Sequence, residues 1–190
     1  ELAAAVEKFG EQPLAMKVVS KDILHKSDAG GVKLNLVGGT ALRAAFDQIM
    51  SSCRAYDAKA DIRGVLVTPM ARRGTEVIVG VVRDPQFGPL VMAGLGGTHV
   101  ELQRDVAFEL APLTREQAND LLDRTAAGRL LGGFRGAPPA DREAVVDTIL
   151  RLAQIALDWP LIAEIEINPL IVQAEGGGAV AVDARVRLAS

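Results

Sequence analysis

The stretch Met16–Leu36, MKVVSKDILHKSDAGGVKLNL, decides how this chain is read. A short apolar strand is predicted over Leu14–Val19, with Lys17 in its middle. A polar loop follows, carrying Lys21, Asp22, His25, Lys26, Ser27 and Asp28, and Gly30 and Gly31 close it. A second strand, Val32–Leu36, alternates again. A lysine on a buried strand beside a glycine-rich polar loop calls for an anionic partner. A lone ammonium in apolar surroundings costs several kcal/mol or gives up its proton. A nucleotide phosphate is the simplest such partner. A Lys17 that snorkels to water from an edge strand is the alternative, and this stretch alone leaves both open.

Outward from it, Glu1–Phe9 reads as a short helix, with Leu2, Val6 and Phe9 at helical spacing and Gly10 ending it. Gly38 and Gly39 mark a turn, and Thr40 is the expected N-cap of a helix to about Tyr56. Arg63–Met70 reads as a buried strand and Thr75–Val82 as its hairpin partner across the short ARRG link. A strand over Leu90–Ala93 and a continuation within Val100–Leu110 extend an antiparallel meander. Thr114 and Gln117 form a capping-box signature for a helix to about Thr125. Ala126–Pro139 is rich in Gly and Pro and is expected as a loop around a short helical turn. Asp141–Asp158 is the clearest helix, with Val145, Ile149, Leu152 and either Ile155 or Ala156 as its stripe. Leu161–Val172, the glycine turn 176–178 and Ala179–Val186 form a closing hairpin.

The bulk numbers exclude several classes. A chain of 190 residues is enough for one large domain or two small ones, and 49% hydrophobic with 24% charged residues is an ordinary globular balance. A net charge of −3 and 4% aromatic residues argue against nucleic-acid partners. Cys53 is the single cysteine, so there is no internal disulfide and no cysteine-based metal cluster, and a reducing cytoplasm fits. No apolar run has membrane-spanning length, so no membrane role is expected. Glu1 is not a natural start, which points to a segment of something longer.

Four constellations can carry chemistry. The first is Lys17 with His25, Lys26, Ser27, Asp28, Gly30 and Gly31, where glycines let a backbone approach a phosphate. His25 is a candidate phosphoryl acceptor or general base, or else a solvent-exposed or structural histidine. The second is Glu164, Glu166 and Asn168, which alternate along one strand face, with Asp183 brought alongside by the hairpin. Such hard oxygens suit Mg²⁺, and without a cation the carboxylates repel one another; a solvated strand face is the plain alternative. The third is Thr68–Pro69–Met70–Ala71, whose backbone can meet an adenine edge, with Glu76 placed to accept from a ribose. The fourth is Gly94–His99, a phosphate-contacting loop or a tight connection.

The motifs MKVVSKDILHKSDAGGVKL, TEVIVGVVRDPQFGPLVMAGLGG, EIEINPL and VDARV occur in this order, and together they resemble the ATP-grasp domain of the ADP-forming acyl-CoA synthetases, a superfamily that includes succinyl-CoA synthetase. The resemblance covers nearly the whole chain. It implies an α+β ATP-grasp fold with two lobes gripping a nucleotide: a smaller lobe over 1–65, lacking a preceding helix and strand usual in such domains, and a larger lobe over 66–190. It implies ATP or ADP and Mg²⁺ as cofactors. Lys17 would contact the phosphates, Thr68–Ala71 the adenine and Glu76 the ribose, and Asn168 and Asp183, with Glu166, would hold Mg²⁺. His25, within ILHKSD, corresponds to a histidine proposed to relay phosphate. The reaction implied is acyl-CoA + ADP + phosphate ⇌ carboxylic acid + CoA + ATP, through an acyl phosphate and a phosphohistidine. The CoA-binding region would lie on another subunit or elsewhere in a longer chain. A regulatory, nucleotide-sensing domain of a larger protein, such as a protein lysine acetyltransferase, is the alternative.

Overall fold

A computed structural model describes residues 2–97 and 105–189. The expectations at Thr98 and His99, and the start of the strand predicted within Val100–Leu110, lie outside the described residues. Contacts divide the chain into two compact units, Glu1–Met70 and Ala71–Ser190.

In the first unit, helix α1 (Leu2–Phe9) is followed by strands β1 (Leu14–Ser20) and β2 (Val32–Leu36), helix α2 (Gly38–Tyr56) and strand β3 (Ile62–Pro69). Gly10 stops α1 in the left-handed region at φ 62°, and its N–H donates to the Val6 carbonyl at 2.8 Å. The three strands form an antiparallel sheet in the order β2-β1-β3. Alternation on β1 turns Leu14, Met16 and Val18 into a core shared with Leu42, Ala45, Ile49 and Cys53 of α2. Burying each large aliphatic side chain there contributes about 1.5–3 kcal/mol.

Three expectations are corrected here. Helix α2 starts at Gly38, with Val37 extended as its N-cap and no side-chain cap, so Thr40 sits in the first turn. β3 is an edge strand rather than a buried one, with Leu66 53% exposed. It also makes no hairpin with the strand after the ARRG link, because the two belong to different sheets. The division between the units falls after Met70.

The second unit holds β4 (Thr75–Asp84), β5 (Gly88–Leu95), β6 (Val106–Leu110), α3 (Arg115–Asp123), α4 (Ala126–Leu131), α5 (Arg142–Asp158), β7 (Ile162–Val172), β8 (Ala179–Ala181) and β9 (Ala184–Leu188). Its strands form one antiparallel sheet in the order β6-β5-β4-β7-β8, with β9 also on β7. The expected meander is therefore present over β4, β5 and β6. Val77, Val79 and Val81 of β4 and Val91 and Ala93 of β5 pack with Leu121, Leu122, Val145, Val146, Ile149 and Ala156 of the helices. Ala156, not Ile155, completes the α5 stripe; Ile155 is 37% exposed.

The capping box of α3 is formed as expected: Thr114 Oγ1 accepts from Gln117 N–H at 3.2 Å and Gln117 Oε1 accepts from Thr114 N–H at 2.8 Å. Asp141 caps α5 through Ala144 N–H at 3.1 Å and also accepts from Gly178 N–H at 2.8 Å, which ties the closing hairpin to that helix. Among the described residues, no helix is long and apolar enough to cross a membrane.

Candidate functional site

Lys17 lies on β1, the central strand of its sheet, opposite Val32 of β2 and Leu66 of β3. Snorkelling from an edge strand is thereby excluded. The side chain projects from the face opposite the α2 core, beside the buried Ala15, and is itself half-buried.

The loop after β1 is folded on its own backbone. Ala29 N–H donates to the His25 carbonyl at 3.2 Å, Gly30 N–H to the Ser27 carbonyl at 3.0 Å, and Gly31 N–H to the Lys26 carbonyl at 2.7 Å. Buried Ile23 and Ala29 anchor it, while His25 and Ser27 are exposed and Lys26 is half-buried. The expectation for Gly30 and Gly31 is a phosphate approach. Their N–H groups are committed inside the loop, and steric room explains both glycines. Gly30 has φ 65°, and a Cβ on Gly31 would lie 2.6 Å from Val18 Cγ1 and 2.9 Å from the Lys26 carbonyl oxygen.

The segment Thr68–Ala71 divides its backbone groups between two sides. Val18 N–H donates to Gly31, on the β2 side of β1. By alternation Lys17 and Ala15 bond toward β3, to their partners Leu66 and Thr68. Met70 N–H then donates to the Pro13 carbonyl at 2.9 Å. Thr68 and Met70 thus face β1 and its preceding turn. The open edge of β3 instead presents the N–H and C=O of Val67 and the C=O of Pro69, a residue suited to an edge because it has no N–H to leave unpaired. Ala71 begins the second unit.

In the second unit Glu76 sits on β4, exposed, opposite Ile171 of β7. The end of β5 folds across it: Gly96 N–H donates to the Glu76 carbonyl at 2.9 Å, and a Cβ on Gly97 would collide with Glu76 Oε2. Gly97 N–H donates to Asn168 Oδ1 at 3.0 Å, so one glycine joins Glu76 to Asn168. Beside Glu76 lies a cleft of about 420 Å³, bounded by Thr75, Leu95, Gly96, Leu130, Phe134 and Pro138.

Asn168 and Asp183 come together where the returning strand is broken between β8 and β9. Pairing runs Ile167 to Ala184 on one side and Leu170 to Ala181 on the other. Across the break Asn168 N–H donates to the Asp183 carbonyl at 3.0 Å and Val182 N–H to the Pro169 carbonyl at 3.1 Å. Asn168 and Asp183 are therefore direct cross-strand neighbours, as the hairpin reading expected, and Glu166 is two residues back on β7. Two carboxylates and an amide oxygen fit Mg²⁺ in kind. Among the described residues no three His, Cys, Asp or Glu side chains form a ligand group by themselves.

The expected repulsion between Glu164 and Glu166 is answered by protein cations. Arg185 pairs with Glu164, Arg187 Nε meets Glu164 Oε2 at 3.2 Å, and Arg185 Nη2 is 3.9 Å from Glu166 Oε2. The signal was present in the sequence, since Arg185 and Arg187 follow Asp183 at strand period. Asp105 is another residue that sequence reasoning missed. It accepts from Ala126 N–H at 2.7 Å and from Leu95 N–H at 3.3 Å, joining the start of α4 to the end of β5.

A family model described as an ATP-grasp domain matches residues 1–188. The chain belongs to the ATP-grasp family. Among ATP-grasp relatives, the beta subunit of acetate–CoA ligase (ADP-forming) I of Pyrococcus furiosus is 47% identical over 186 residues, covering 97% of this chain and 79% of that protein. A structure of acetyl-coenzyme A synthetase 1 from Ca. Korarchaeum cryptofilum, in complex with coenzyme A and Ca-AMPCP, matches with TM-score 0.91 and 41% identity over 99% of this chain and 81% of that one. A second structure of that synthetase, with coenzyme A and Mg-AMPPCP, matches with TM-score 0.81 and 39% identity over 99% and 82% of the two chains; its phosphohistidine segment points towards the nucleotide-binding site. The ATP-grasp fold and the kinship to ADP-forming acid–CoA ligases expected from the motifs are borne out.

Proposed function

We propose that this chain is the nucleotide-handling part of an ADP-forming acyl-CoA ligase, which interconverts carboxylic acid, CoA and ATP with acyl-CoA, ADP and phosphate. The observation that carries the reading is the cross-strand pair Asn168–Asp183, with Glu166 beside it, in a chain of this family. These three residues would hold Mg²⁺, which when bound supplies positive charge to phosphate oxygens. Lys17, fixed on a central strand, would add a second positive charge to the phosphates. Lys26 and Ser27 extend that polar surface. The open edge of β3, with Val67 and Pro69, is the adenine contact we favour at the hinge segment Thr68–Ala71 and the residue before it, and Glu76 would accept from the ribose.

His25 is exposed on the loop after β1 and would take up the phosphoryl group. In that step the bond from the γ-phosphorus to the ADP oxygen breaks, and a P–N bond forms at an imidazole nitrogen. The partner is the CoA-binding region, on another subunit or a longer chain; the Pyrococcus relative is by name a beta subunit. The acetyltransferase-linked regulatory alternative gains nothing from a relative that is a ligase by name. The single cysteine supports the cytoplasmic placement.

Calorimetry with Mg-ADP and Mg-ATP tests the reading. The unaltered chain is expected to bind both. Lys17→Ala and Asp183→Ala are each expected to weaken binding by about tenfold, as for loss of one charge-assisted contact. Binding untouched by both substitutions, or no binding to the chain joined to its CoA-binding partner, would refute it. Phosphate on His25 after incubation with Mg-ATP, lost in His25→Ala, is the expected covalent readout.

A further inference from the structure

The end of β5 is anchored by a carboxylate just before the two glycines that grip Glu76 and Asn168. Gly96 N–H donates to the Glu76 carbonyl, so by alternation Leu95 N–H points away from β4, toward β6. There the ladder has run out. β6 pairs Val106 with Gly94, and one further step would set Asp105 opposite Leu95. The backbone of Asp105 instead crosses Gly94, where a Cβ would collide with the Asp105 carbonyl oxygen. Its side chain replaces the missing strand partner: Asp105 Oδ2 accepts from Leu95 N–H at 3.3 Å. The same half-buried carboxylate accepts from Ala126 N–H at 2.7 Å and from Ala127 N–H at 3.3 Å, at the start of α4.

Two residues beyond Leu95, Gly97 N–H donates to Asn168 Oδ1 at 3.0 Å. That donor decides how the amide is turned, because the Asn168 NH₂ in the same place would set donor against donor. An amide oxygen has two lone pairs, so it can accept this N–H and ligate a cation together. Gly97 cannot be steadied by a side chain of its own, since its φ is 82° and a Cβ would collide with Glu76 Oε2. Its place is set by the chain before it, with Gly96 on Glu76 and Leu95 on Asp105.

We infer that Asp105 is a positioning residue for the nucleotide site. By anchoring Leu95 to α4 it fixes Gly97 N–H, and through that donor the orientation of the Asn168 amide. The inference rests on the Mg²⁺ reading of Asn168 above. The hydrogen bonds of the Asp105 carboxylate go to Leu95, Ala126 and Ala127, so it acts through the chain and not on the cation.

The test is calorimetric titration of Mg-ADP and of Mg²⁺-free ADP into the chain joined to its CoA-binding partner, with the unfolding temperature beside it. Asp105→Asn replaces one accepting oxygen by a donor. It is expected to weaken Mg-ADP about tenfold, as for loss of a contact that holds a metal ligand in place, with Mg²⁺-free ADP affinity unchanged. Thr125→Ala is the control. It removes the hydroxyl that accepts from Gly128 N–H at 3.1 Å, and so loosens the start of α4 without touching Leu95. It is expected to lower the unfolding temperature and leave Mg-ADP affinity as it was. If Asp105→Asn does not fold, Asp105→Glu, which keeps the charge and carries its carboxylate one methylene further from the backbone, is expected to weaken Mg-ADP the same way.

A merely structural clamp would lower the unfolding temperature in both variants and leave Mg-ADP affinity intact in both. That result, or equal weakening of Mg-ADP by the two variants, overturns the inference while Asn168→Ala still weakens Mg-ADP. Mg-ADP affinity indifferent to Asn168→Ala would instead remove the Mg²⁺ reading and this inference with it.

Discussion

Gly31 shows how one residue can satisfy two readings that make opposite demands. A phosphate cradle needs its N–H free, whereas loop closure needs its missing side chain. The N–H donates to the Lys26 carbonyl at 2.7 Å, and the space a Cβ would need is taken by Val18, Lys26 and Cys53. Gly31→Ala is therefore expected to destabilise the protein by about 2 kcal/mol, the cost of overpacking against backbone and core atoms. Urea denaturation measures this. A cradle role would show the reverse pattern, with nucleotide affinity lost and stability kept. Lys17 is the contrasting case. The sequence told that a lysine sits amid apolar neighbours, but not whether its strand is central. Three-strand pairing settles that, and no pattern within seven residues of β1 contains it.

At the scale of elements, the sequence was legible wherever the determinant is local. The α3 capping box, the α5 stripe and the alternation on β4 all depend on residues within a few positions of each other. What was not legible is long-range. Nothing in ARRG says that the strands on either side join different sheets, because a short link is compatible with a hairpin and with a passage between units. Asp105 is equally silent in sequence, since its acceptors matter only once α4 and β5 converge on it. The two acceptors differ in consequence. Thr114→Ala removes a solvent-exposed helix cap and is expected to cost about 1 kcal/mol. Asp105→Ala strips its acceptor from Ala126, Ala127 and Leu95 N–H groups in a half-buried place and is expected to cost more, about 2–3 kcal/mol. Denaturation midpoints of the two variants check the ranking, and equal losses would mean that water replaces Asp105.

At the scale of the whole molecule, the nucleotide assignment makes a demand on the first unit that a thiol can report. Cys53 is fully buried on α2, and its Sγ donates to the Ala29 carbonyl at 3.7 Å, directly beneath the loop after β1. Burial pushes the thiol pKa up. The folded state therefore holds the proton more tightly than the unfolded chain. This contribution to stability is complete below the exposed-thiol value of about 8.5 and fades as pH rises above it. At pH 8 the native thiol is thus both shielded and protonated, and alkylation requires the unit to open. If Lys17 on the adjoining strand binds nucleotide phosphates, ligand must stabilise the closed form of this unit. Mg-ADP at a hundred times its dissociation constant is expected to slow Cys53 alkylation by roughly a hundredfold, following mass action. Lys17→Ala should remove most of that protection. An alkylation rate indifferent to saturating Mg-ADP would mean that the nucleotide does not engage the first unit, and would confine the phosphate chemistry to the residues around Asn168 and Asp183.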